Sequence, residues 1–160
     1  MDNSFSVSVA TVKSSVRAQL SVIGKHHATQ PNSTLFSTTT LSSLESSVMD
    51  EFVRTAVQLV VSALTPVLSV YSSATSFKFS VNSSRWGNAL PVAVQDAVQS
   101  FIVASVVQSC LNMTVPDIAP RYSADAQNML TAIVSMVFTK QPPVKSASSL
   151  ADCHGSVSLK

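Results

Sequence analysis

No charged residue stands within residues 55–77 or within residues 97–116. Each run is about as long as the roughly 20 residues a membrane-crossing helix needs. The first question is therefore whether these runs meet lipid or each other. Both are dotted with Ser and Gln, and Pro66 interrupts the first, where it removes a backbone donor and crowds the preceding turn. In hydrocarbon such polar groups would have to be satisfied internally. The runs are read instead as core-facing pieces of a globular domain. The central stretch, residues 52–101, then resolves into a helix, a short β element and a second helix, with the remaining chain arranged around that unit.

Periodicity fills in the rest. Val9, Val12, Val16, Leu20 and Ile23 recur at steps of three and four opposite Lys13, Arg17 and Ser21, which predicts a first amphipathic helix stopped by Gly24. Residues 25–40 are polar, aperiodic and contain Pro31, so they read as a loop. Ser42-Ser-Leu-Glu45 is a capping-box pattern. It opens a second helix with Leu41, Leu44, Val48, Phe52, Ala56, Leu59, Val60, Ala63 and Leu64 as its apolar face, ended or kinked by Pro66. Residues 67–71 and 76–81 are β-branched and aromatic, and Phe77, Phe79 and Val81 alternate with Lys78 and Ser80. These predict a small antiparallel hairpin between helices 2 and 3.

Pro91 suits a first helical turn. Val94, Val98, Phe101, Ile102, Ser105, Val106 and Cys110 define the third helix. A loop with Pro116 and Pro120 follows. Ser123 is the expected N-cap of a fourth helix, with Asp125 in its first turn and Ala126, Met129, Leu130, Ile133, Met136 and Val137 on its face. The fold expected is mainly α: a four-helix bundle with a small hairpin. Residues 1–143 form a single domain and residues 144–160 a disordered, flexible tail.

Composition narrows the function. The chain has 160 residues, enough for one core, and charged residues are only 11% against 46% hydrophobic. A surface so weakly charged favours self-association. The net charge of +2 is too small to argue for a nucleic-acid partner by itself. It is concentrated at the ends: Lys13, Arg17 and Lys25 against Asp2, and Lys140, Lys145 and Lys160 against Asp152. No basic segment followed by an apolar one marks a secretory signal, so the Asn-X-Ser/Thr sequons at Asn32, Asn82 and Asn112 are expected to be unused. Two cysteines suit a reducing compartment better than a disulfide framework.

No catalytic, metal or cofactor constellation emerges. His26-His27 lacks acidic or cysteine residues at ligand spacing, and Cys153-His154 are neighbours whose side chains diverge. Cys110 falls on an apolar helix face, as a small core residue does. Asp50 and Glu51 point about 100° apart on a helix, which suits an i, i+4 pairing of Asp50 with Arg54 better than shared proton chemistry. Two arginines remain. Arg121, at the start of the fourth helix, can hold a phosphate together with free backbone amides. Arg85 beside Trp86 can hold a nucleotide by charge and stacking.

Residue order supplies a further pointer. Arg54-Thr-Ala-Val-Gln58, then Pro66, then Phe77-Lys-Phe-Ser-Val-Asn82, then an apolar and small-residue helix ending in Ser100-Phe101 resembles the coat proteins of rod-shaped plant viruses of the tobacco mosaic virus type. Arg121-Tyr-Ser-Ala-Asp125-Ala126 is similar to the arginine-containing, acid-containing start of that family's last long helix. The short, proline-bounded connection of residues 111–122 departs from the family, which has a long loop there. The resemblance implies a coat subunit of a virion, found also in the host cytoplasm, that self-assembles into a helical rod and holds single-stranded RNA without sequence preference. The RNA contacts it carries over are Arg121 and Asp125, with Arg85 as a helper. The competing expectation is a small helical membrane-associated or accessory viral protein.

Overall fold

A computed structural model describes residues 4–28, 46–65, 68–72, 75–81 and 90–138. The chain is mainly helical. In order, the described elements are β1 (Ser4–Ser8), α1 (Val9–Ala28), α2 (Ser46–Leu64), β2 (Leu68–Ser72), β3 (Ser76–Val81), α3 (Leu90–Thr114) and α4 (Ala119–Phe138). The three strands form one antiparallel sheet in the order β1-β3-β2.

That sheet is larger than the hairpin the sequence suggests. The chain's start supplies β1, which pairs with β3 in the register Ser4↔Ser80, Phe5↔Phe79 and Val7↔Phe77. Ser4-Phe-Ser-Val-Ser8 carries the same alternation as β3: Phe5, Val7, Phe77 and Phe79 are buried while Ser6, Ser8, Lys78 and Ser80 are exposed. All four apolar side chains lie on one sheet face, because successive residues of a strand alternate between faces. Phe5 stacks on Phe79 with ring centroids 5.0 Å apart and planes 16° from parallel. A third strand also relieves the marginal stability of an isolated hairpin.

The chain passes from β1 into α1 without a loop. Ser8 occupies the residue before the helix, where serine is favoured, and the otherwise orphaned amide of Val9 donates to the Thr75 carbonyl at 3.1 Å. That bond ties the α1 N-terminus to the residue that precedes β3. Val12, Val16 and Leu20 are buried at steps of four, and Gly24 continues the same inward stripe. The expected stop at Gly24 is thus corrected, since α1 runs on to Ala28. Glycine costs about 1 kcal/mol in a helix interior. Here it is buried at a position where a larger side chain would crowd the core, and tertiary packing carries the helix through.

α3 is the axis of the domain. It packs against α1, α2, α4 and β1, and nine of the 26 buried hydrophobic residues belong to it. At about 1.5–3 kcal/mol for each fully buried large apolar side chain, it contributes more of the core than any other element. Buried residues occur on several of its sides, Phe101, Ile102 and Val103 in succession, as expected of a helix surrounded by neighbours. By length and composition Val92–Thr114 could also cross a membrane. Residues 55–77 could not do so as one helix, because α2 ends at Leu64 and strands follow.

Three further expectations are revised. The inward stripe of α2 is Met49, Val53, Ala56, Val57, Val60 and Leu64, so Leu59 faces outward at 45% exposure, and Val48 and Phe52 are only half-buried. Asp50 pairs with Lys13 of α1 at 2.6 Å rather than with Arg54, and the Lys13 ammonium also donates to Ser46 Oγ at 2.8 Å. The tertiary partner wins because α1 lies alongside and Lys13 is largely sheltered, at 16% exposure. Finally, the loop expected over residues 111–122 contracts to 115–118, because α3 extends to Thr114 and α4 begins at Ala119. Ser123 therefore lies inside α4 rather than capping it, and Asp125 falls beyond the first turn. Pro120 is compatible with this early start, its missing amide being no loss in a first turn.

A chain with so few charges keeps its helices supplied with hydrogen bonds by another route. The hydroxyls of Thr55, Thr65, Ser109, Thr114 and Thr131 each donate to the carbonyl four residues earlier, and that of Ser62 to the carbonyl three residues earlier, at 2.7 to 3.0 Å. Such back-bonding satisfies the hydroxyl within its own helix. Among the described residues no polar or charged side chain is buried. The capping box at Ser42–Glu45, the Arg85-Trp86 pair, Cys153-His154 and the tail of residues 144–160 lie outside the described residues.

Candidate functional site

The α3–α4 reversal builds the most structured corner of the surface. Val115 N donates to Leu111 O at 2.6 Å and closes the end of α3. Ile118 N donates to Val115 O, and Arg121 N to Ile118 O, both at 3.3 Å. These short-range bonds turn the chain in four residues and start α4 immediately. They also bear on the phosphate site expected at Arg121. Of the first-turn amides, Pro120 has none and that of Arg121 is already committed, so an anion here would be held by side chains more than by backbone.

Arg121 is exposed and lines a cleft of about 490 Å³. Val22, Ile23 and His26 form the α1 side, Asp117 comes from the turn, and Arg121 and Tyr122 come from the first turn of α4. Both helices pack on α3, and the cleft is the space left between them. A second depression of about 380 Å³ adjoins it, lined by Ala18, Gln19, Val22, Ile23 and Tyr122. Val22, Ile23 and Tyr122 are common to both, so the two are lobes of one groove. One lobe has a charged rim and the other is almost wholly apolar. Val22 sits at their junction at 67% exposure.

The sequence candidates distribute unevenly over this geometry. Arg121 is in the groove. Asp125 is exposed one helical turn further along α4 and does not line the groove. Arg85 falls outside the described residues. Lys78 is exposed on the outer face of β3. His26 reaches the groove, although in the sequence it drew notice only as half of a weak metal motif. Tyr122, Gln19 and Val22 carried no functional signal in the sequence, since only the tertiary approach of α1 to the α3–α4 turn brings them together.

Other chemistry is sparse. Among the described residues no group of three or more His, Cys, Asp or Glu is placed to hold a metal ion. Cys110 is fully buried, and burial pushes its thiol up from 9.0 to about 11, which leaves it a neutral core residue at physiological pH. Among the described residues the arrangement is an apolar bundle with an amphipathic groove lined by His26, Asp117 and Arg121 at one end. Comparisons with protein-family models, with curated proteins and with solved structures find no match for this chain.

Proposed function

We propose that this chain is a structural subunit that self-assembles into a helical coat and holds single-stranded RNA through phosphate contacts repeated once per subunit. The observation that carries this reading is the placement of apolar residues on the outside. Leu59 on α2, Val92 and Met113 on α3, and Met129 and Phe138 on α4 are all between 38% and 65% exposed. Three of the four described helices therefore offer at least one large apolar side chain to solvent outside the groove. A single dimer patch would gather them on one face, whereas a subunit in a stacked array has neighbours on several sides. Sparse charge supports the same reading, since like-charge repulsion between stacked copies would be small.

RNA retention rests on exposed Arg121 in the groove, with Arg85 as a second cation, while Asp125, exposed on the same helix as Arg121, can accept from a sugar hydroxyl. One weak contact per subunit suffices when many subunits engage one strand, because the contacts add through multivalency. The competing reading is a membrane-associated helical protein, for which the long apolar α3 is the relevant feature. Its position against four other elements favours a core role. Negative-stain microscopy and sedimentation of the purified protein, with and without single-stranded RNA, test the coat reading. Extended assemblies whose length follows the RNA are expected. Particles that remain monomeric across salt and pH would refute it.

A further inference from the structure

The groove between α1 and the first turn of α4 has a chemistry more specific than a phosphate contact. Its two lobes meet at Tyr122, a half-buried ring with apolar neighbours Val22 and Ile23 on the facing helix. On one side are Arg121, His26 and Asp117. On the other are Ala18 and Gln19, with the Gln19 amide as the one polar side chain among aliphatic ones. The larger lobe alone, at about 490 Å³, falls within the roughly 300–1,000 Å³ of pockets that hold small organic ligands. A ligand matched to this lining has an anionic group, a hydroxylated middle and a flat apolar body with hydrogen-bonding edges.

From this geometry we infer that the groove is a single-nucleotide subsite, in which one nucleoside phosphate unit lays its base against Tyr122 in the apolar lobe and its phosphate against Arg121. Gln19, which can both donate and accept, faces the base edge. Asp117 accepts from a sugar hydroxyl, the group that distinguishes RNA from DNA. Stacking explains the exposure of Val22, which an occupying base covers. It also makes binding tolerant of base identity, because every base has a π face. The inference rests on the RNA reading proposed above and deepens it, for it assigns affinity to a ring and an apolar wall as well as to charge.

The test uses the full chain, fluorescence anisotropy with labelled oligouridylate and oligoadenylate, and isotope-edited NMR with free adenosine and uridine monophosphates. Tyr122→Ala is expected to weaken oligonucleotide binding by between about fivefold and a hundredfold, the range for loss of one base–aromatic stack. Tyr122→Phe should stay within about twofold of the parent. Because Tyr122 is half-buried, Val22→Glu provides a second variant at a side chain 67% exposed, where a substitution is expected to change stability little. It should weaken binding by placing a carboxylate in the groove. Free nucleotides should shift the resonances of Val22, Gln19 and Tyr122. Parent-like affinity in Tyr122→Ala and Val22→Glu, with a loss only in Arg121→Ala, would overturn the subsite and leave the RNA reading standing. Nucleotide shifts without oligonucleotide binding would support the subsite and overturn the RNA reading. Absence of both would overturn both.

Discussion

The Phe5–Phe79 stack makes the docking of β1 measurable. Phe79 is fully buried on the central strand and Phe5 is 5% exposed on the edge strand. Truncating a buried Phe to Ala costs about 3–5 kcal/mol through lost transfer energy and the cavity left behind. Stacking adds about 0.5–1.5 kcal/mol beyond the buried area. Phe79→Ala should therefore remove a large part of a total stability that for domains is about 5–15 kcal/mol. At about 2–4 °C per kcal/mol for a chain of this length, its Tm should fall by about 6–20 °C. Phe5→Ala should lose somewhat less, because an edge strand can fray locally. The double variant should be less destabilised than the sum by about 0.5–1.5 kcal/mol, the coupling of two residues in contact. Urea unfolding of the four proteins, followed by circular dichroism at a concentration where the parent is dispersed, measures all three quantities. A cost for Phe5→Ala below about 0.5 kcal/mol together with zero coupling would refute the reasoning, since β1 would then not be packed on β3.

Four other outcomes are expected. Replacing Lys13 with Met should cost about 0.2–1 kcal/mol, because Asp50 is 44% exposed and the pair is partly screened, and the loss should shrink at high salt in denaturant titrations. The Cys110 thiol has a folded pKa of about 11, above the 9.0 of an exposed thiol, so its contribution is fully present below pH 9 and is lost as pH rises towards 11. The loss is about 3 kcal/mol at most, and a Cys110→Ala variant, though less stable at pH 7, should show a correspondingly flatter decline in stability between pH 9 and 11. Arg121→Ala should weaken RNA binding evenly across sequences and reduce the salt slope of log K by about 0.7, the value for one single-strand phosphate contact, as read by anisotropy over a salt series. Liposome flotation should leave the protein in the dense fractions, and flotation with the vesicles would instead favour an inserted α3.

Much of the helical frame was legible because each helix buries a stripe at helical spacing. Val12, Val16 and Leu20, then Val94, Val98, Phe101, Ile102, Val106 and Cys110, and then Ala126, Ile133 and Val137 are buried as their periodicity implies. The stripe of α2 was harder to place. Val, Leu and Ala occur on both sides of it, and only packing on α3 selects Met49, Val53 and Val57 over Leu59. Local signals misled where tertiary structure overrode them. Gly24 reads as a stop, yet it is a core contact, and Ser123 reads as a cap, yet the tight 115–118 turn starts α4 earlier. Strand β1 escaped notice because five residues of alternation at a chain end resemble a lead-in. Its partner in the sheet lies 68 to 76 positions away in the sequence. The groove was legible only at Arg121, because its facing wall of Val22, Ile23 and His26 comes from a helix nearly a hundred residues earlier.

The pairing of β1 with β3 also sets an order of events in time. Ser4 meets Ser80 and Ser8 meets Ser76, so β1 has no partner until some seventy further residues have been made. Contacts between such distant positions are slow to form, because closing the intervening loop costs entropy before the pairing repays it. α1 and α2 can meanwhile collapse on local and mid-range contacts. β1 is then among the last elements to settle, and its Phe5 and Val7 stay uncovered until β3 has been made. Addition of a bulky fusion partner at the N-terminus should be felt first in the yield of folded chains, before it alters any property of those that have folded.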